Sequence, residues 1–476
     1  MSRAAKTIAA AGAALALAAP VPAHAHGVAA RSDLPIPAWL FGWAAALVLI
    51  VSFVALAALW PKPKLEHEHW RPLPGGVGRA LASRPVEVAC GGIGVFLLIF
   101  TVASGLLGEQ IPSSNFATTF VYVVFWVGLV PVSVIFGDVF RAFNPWRAIG
   151  RVVDWASGSL AGEPLPPPKE YPEGLGRWPA AIGILVFAWL ELVLQDGDLP
   201  RTVAIATCAY SAVVFVGMAV YGVGPWIDRA EAFSAYFNLF SRISPFERRG
   251  DEIGVRRPLS GLAQLDPLPG TVALVAVAVG TVSFDGASEG QLWLGIALPL
   301  NRTLEGIGLS PSIGLGIIYT VGMVLGVALI YGFYELAVAG ARSVGGGFTT
   351  RRLARAFVHS LIPIALVYVA AHYVTLLVFQ GQAMGALISD PFGNGADLFG
   401  TAGTQIDYTV LGADTVWYIQ VALVIVGHVT ALAVAHDRAL VIYDDSRLAV
   451  RSQYWMLGVM VGFTTLALWL LSQANA

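Results

Sequence analysis

The chain has 476 residues, 57% of them hydrophobic and only 12% charged, with a formal net charge of −2 and a mean hydropathy of +0.71. Soluble domains carry about 25% charged residues, so this composition excludes an ordinary cytosolic enzyme, a disordered chain and a nucleic-acid binder. What remains is an integral membrane protein, in which the placement of charge says more than its sum.

Residues 1–25 open with Arg3 and Lys6, continue through an Ala/Leu stretch and end in Ala23-His24-Ala25. That is the order of a cleavable signal peptide, and removal would make His26 the first residue. A bilayer core of about 30 Å needs roughly 20 apolar residues per helix. Ten segments qualify: about 38–60, 86–106, 116–137, 179–195, 201–223, 269–284, 312–338, 355–379, 415–436 and 453–472. The sixth is the weakest, being short and interrupted by Gly280. With ten spans and an outside N-terminus, 23 Lys and Arg fall in inside loops, and only Arg31, Arg201 and Arg302 fall outside. The positive-inside rule therefore predicts an all-α, polytopic bundle of about ten spans, 26–476, after a signal peptide. It would sit in a bacterial cell membrane with both mature ends, His26 and Ala476, outside.

Two inside connections hold more than linker. Residues 138–155 and 226–243 mix aromatic and basic residues as interfacial helices do. Residues 163–173 form a stiff proline-rich connector, and the longest outside loop, 380–414, is acidic and Gly-rich. Cys90 and Cys208 both lie in apolar runs, which gives no disulfide framework.

Ionisable side chains inside spans are costly and usually functional. Glu191 on the fourth span, Glu335 on the seventh, His359 and His372 on the eighth, and His428 and His436 on the ninth meet that description. Glu335, His359, His436, Asp437 and Arg438 share an inner stratum, where packing and salt bridges explain them. Glu191 and His372 lie in the outer half, with Tyr368 one turn before His372 on the same helix face.

Several readings stand side by side. His359 and His372 are 13 apart, as in haem-binding helix pairs. The partner pair, His428 and His436, is 8 apart, a mismatch of roughly 8 Å at about 1.5 Å per residue. Glu191, His372 and His428 have the ligand types of a divalent-metal site. A terminal His26, or the pair His67 and His69, would supply two ligands where a structural zinc site wants four. In the plainest reading, the buried histidines only hydrogen-bond to neighbouring helices. For catalysis the candidates are His372 as base or ligand, with Glu191 and Tyr368.

Five stretches taken together carry a resemblance. They are Asp33–Pro37, Phe140–Gly150 (Phe-Arg-Ala-Phe-Asn-Pro-Trp-Arg-Ala-Ile-Gly), His359–His372, Gly427-His428 with Ala435–Leu440, and Tyr454–Leu471. In these the chain resembles an actinobacterial family of multi-pass membrane proteins labelled fenitrothion hydrolase, and the likeness runs over nearly the whole length. The resemblance implies hydrolysis of an aryl phosphotriester, with no residue receiving a role from it. From the residues themselves, such chemistry needs an activated water and stabilised charge on the phosphoryl oxygen. No nucleophile elbow, P-loop or zincin helix is present. Two alternatives remain: a transporter or channel for a small solute, proton or metal ion, and a metal- or haem-binding scaffold. The expected partners are the lipid bilayer and a small apolar molecule or ion.

Overall fold

The computed structural model describes residues 38–67, 69–160, 168–443 and 445–474. The signal-peptide segment, His26, Asp33–Pro37 and Ala476 lie outside the described residues. Within them the chain is predominantly helical, with almost no strand. The principal helices are α1 (Ala38–Leu59), α2 (Arg84–Leu107), α3 (Phe116–Phe136), α4 (Pro145–Leu160), α5 (Trp178–Leu192), α6 (Pro200–Tyr221), α7 (Ala232–Ser241) and α8 (Thr271–Ser288). They continue as α9 (Gln291–Gly306), α10 (Pro311–Ser343), α11 (Ile362–Phe379), α12 (Ala413–Ile442) and α13 (Ser446–Ala474). Each of the ten expected segments falls on one of these helices. Among the described residues, eight helices are long and apolar enough to cross a membrane, and the 15-residue α5 is a shorter apolar helix. At about 1.5 Å per residue α5 reaches only some 22 Å.

Local chemistry sets the helix starts. Asn115 caps α3 by accepting the Ala117 N–H at 2.9 Å, and proline occupies the first turn of α5, α6 and α10, where a missing N–H costs nothing. The middle of α3, Phe120–Gly128, is wound as a π-helix, a form often found near functional sites.

The hydropathy-poor sixth segment is the centre of the bundle. Helix α8 packs against α5, α10 and α11, and most of its residues from Leu274 to Asp285 are buried. A helix surrounded by protein needs less apolar surface than one facing lipid. Gly280 is a close-approach point rather than an interruption: a Cβ there would lie 2.6 Å from Val327 Cα of α10.

The loops sort into two sets. A three-stranded antiparallel sheet, in the order β1 (Arg71–Pro72), β3 (Glu252–Val255), β2 (Phe246–Arg249), joins the connection after α1 to that after α7. On this side Glu87 binds Arg147 and Arg151, each at 2.6 Å, and Arg141 pairs with Asp228. These are the basic connections that the sequence places together. On the opposite side residues 108–116 bond to 390–393, through Glu109 N to Phe392 O (2.8 Å) and Phe116 N to Pro391 O (3.1 Å). Where the sequence suggests an interfacial helix over 226–243, the structure buries α7. Its aromatic residues fill the core instead, with Tyr236 stacked on Trp126 at 4.5 Å between ring centres.

Helix α1 does not pair with its neighbour in sequence. It packs on α12 and α13. Asp437, buried on α12, fastens it by accepting from Trp60 Nε1 (2.8 Å), Lys64 N (2.6 Å) and Leu65 N (3.0 Å).

Candidate functional site

Of the residues that the sequence groups in an inner stratum, His436, Asp437 and Arg438 act as fasteners. Both ring nitrogens of His436 are engaged, one by Gln453 Oε1 (3.2 Å) and one by Trp60 O (3.0 Å). Arg438 reaches Glu66 at 3.0 Å and Ala263 O at 2.7 Å. Burial pushes the Glu66 carboxyl above its ordinary range, opposed by Arg438. His359 is buried beside Arg438. Glu335 stands apart, next to Tyr331 and Tyr334 of its own helix. With His436 occupied, the His428–His436 pair has no free ring nitrogen on one member for an axial bond to haem.

The opposite half holds a different arrangement. The Asp285 carboxylate, near the end of α8, accepts from Tyr373 Oη at 2.8 Å, and the same oxygen lies 2.8 Å from His372 Nε2. The Asp285 side chain is 4% exposed and that of His372 12%. The two aromatic residues are adjacent on α11 and their rings meet edge to face, 4.6 Å between centres and 76° apart. Successive residues on a helix point about 100° apart, so both reach Asp285 because it lies between their directions. Gly286 makes room: a Cβ there would lie 3.4 Å from His372 Nδ1 and Cε1. If Nε2 carries the proton to Asp285, Nδ1 keeps a lone pair.

Glu191, on α5, joins this group through charge. It interacts electrostatically with Asp285, and its field also reaches Tyr122, Tyr236 and Tyr373. It is partly exposed and has no hydrogen-bond partner among the described residues. Tyr236 Oη is buried and likewise unpartnered. Two carboxylates that feel each other's field repel when both are charged, and protonation of one removes the conflict.

Of the residues expected at the site, His372 thus meets Asp285 directly, and Glu191 relates to that group only through its electrostatic interaction with Asp285. Tyr368 and His428 belong elsewhere. Their rings lie 6.2 Å apart, and His428 Nδ1 binds Val424 O of its own helix at 2.7 Å. The expected metal triad of Glu191, His372 and His428 is therefore not assembled. Among the described residues no three His, Cys, Asp or Glu side chains stand close enough to hold an ion. Tyr373 takes the place that sequence spacing gives to Tyr368. Asp285 escapes a sequence reading because the sixth apolar segment ends at residue 284. The helix runs on to Ser288. No protein-family model, no curated protein and no solved structure matches the chain.

Proposed function

We propose that this protein moves protons across the membrane, with Asp285, His372, Tyr373 and Glu191 as its proton-binding site. The observation that carries the reading is the Asp285 carboxylate, buried on the central helix, bonded to His372 and Tyr373 and within the electrostatic reach of a second carboxylate, Glu191. Intramembrane Asp, Glu and His groups of this kind mark proton relays and ion pathways. A proton arriving at His372 Nδ1 makes an imidazolium beside the Asp285 carboxylate. Its release restores the neutral ring and leaves no net chemistry. Glu191 completes the set through its electrostatic interaction with Asp285.

The test is proton flux. Purified protein in liposomes loaded with a pH-sensitive dye is driven by a potassium diffusion potential. A dye response above that of empty liposomes, lost in Asp285→Asn, supports the reading, and a wild-type response equal to empty liposomes overturns it. The hydrolase reading implied by the resemblance has one observation in its favour: a carboxylate orients an imidazole as it does for a general base. Release of 4-nitrophenol from a nitrophenyl phosphotriester, abolished by His372→Ala, would support that reading instead.

A further inference from the structure

Helices α5 and α6 follow each other in sequence, joined by residues 193–199, yet they do not pack together. Helix α5 packs on α7 and α8, and α6 packs on α2. Between them lies a cavity of about 960 Å³, at the upper end of the range for small-molecule sites. Its walls are aliphatic and aromatic side chains from α2, α3, α5 and α6, with Phe233 of α7. At its rim Ile182 and Val186 of α5 and Val213 of α6 are each more than half exposed. Both helices are apolar, so this rim faces acyl chains rather than water. The space is open along this rim, so a guest can enter it from the side, and its size and apolar walls suit a small molecule.

The chemistry of the lining defines the guest. Glu231 is the one carboxylate in it, and it is fully engaged. It accepts from Tyr210 Oη (2.5 Å), Asn144 Nδ2 (3.0 Å) and the backbone N–H groups of Phe233 (3.0 Å) and Ser234 (2.8 Å), where it caps α7. No charge is left over to pair with an ionic guest. We propose that the cavity between α5 and α6 binds a neutral, apolar small molecule taken up from the bilayer. Resting on the proton-moving reading, this molecule is the cargo. Helix α5 is the shared wall: Val186, Phe187 and Leu190 line the cavity, while Glu191 interacts with Asp285 on α8.

The test uses the full chain in lipid nanodiscs and the neutral probe N-phenyl-1-naphthylamine, read by energy transfer from the lining tryptophans Trp146, Trp178, Trp189 and Trp226. Saturable transfer is expected for the wild type, weakened at least tenfold by Val186→Trp, which narrows the rim at an exposed position. Leu325→Trp, an equally lipid-facing change on α10, should leave it unaltered. Val186→Trp paired with Ala206→Trp should abolish it, and melting curves verify that each variant is folded. Transfer that never saturates, or that survives both rim changes in folded protein, overturns the proposal. So does quenching of the same tryptophans by brominated acyl chains that the probe cannot displace, which would make the occupant a bilayer lipid. Probe binding without proton flux keeps the cavity and removes the proton reading. Flux without probe binding does the reverse.

Discussion

Replacing Asp285 by Asn keeps the side chain's shape and removes its charge. Two interactions weaken, those with His372 and Tyr373, each at 2.8 Å. Hydrogen bonds to a charged group contribute about 1.5–3 kcal/mol each in soluble proteins, and interhelical bonds in membranes average nearer 0.6 kcal/mol. The loss for the two bonds is therefore about 1–6 kcal/mol. Against it stands relief from holding a carboxylate in a dry site, which costs several kcal/mol. The two effects are of similar size and opposite sign, so Asp285→Asn should fold with a stability within about 2 kcal/mol of wild type. Function should not survive, because a neutral amide cannot stabilise the imidazolium that forms when His372 takes up the proton. In the dye-loaded liposome assay, flux should drop to the level of empty liposomes. His372→Ala should do the same, and the double variant should be no worse than either single one, since residues acting as a unit are non-additive. Asp285→Asn protein that is folded and retains flux within twofold of wild type would refute the assignment.

Glu191→Gln should lower flux at least tenfold while leaving the melting temperature in detergent near that of wild type, because Glu191 has no hydrogen bond to lose. Asp437→Ala should destabilise the fold by about 3–5 kcal/mol, since three donors lose a charged acceptor. Asp437→Asn should recover part of that in the same unfolding measurement. Gly280→Val should lower stability by about 1–3 kcal/mol or more through overpacking against Val327, whereas Gly295→Val, where a Cβ meets nothing within 4 Å, should be nearly silent in a parallel melt. His428→Leu should melt near wild type and keep probe binding in nanodiscs, because its one hydrogen bond is to its own helix.

Helix positions and the grouping of basic connections are legible in the sequence because they follow from hydropathy and charge, which act locally. Glu191 and His372 each stand out in the sequence because each is a costly group in an apolar run. Asp285 does not, since hydropathy alone sets a boundary one residue too early. The helix continues because its neighbours in the bundle, not lipid, surround its end. Tyr373 is missed for a geometric reason. Spacing rules select side chains on one helix face, whereas Asp285 approaches α11 between two faces. The metal triad fails for the converse reason: depth along three helices says nothing of how they are rotated, and His428 turns toward Tyr368.

The attachment of α1 to α12 and α13 has a consequence for how the protein is made. The groups that Asp437 holds lie 372–377 residues earlier in the chain. At about 5–20 residues per second, the ribosome needs on the order of twenty seconds to over a minute to deliver that carboxylate. During that interval the Trp60, Lys64 and Leu65 donors are not yet claimed by Asp437. Synthesis of α1 and its docking are thus separate events in time, and a chain whose synthesis stops short of α12 leaves α1 unclasped.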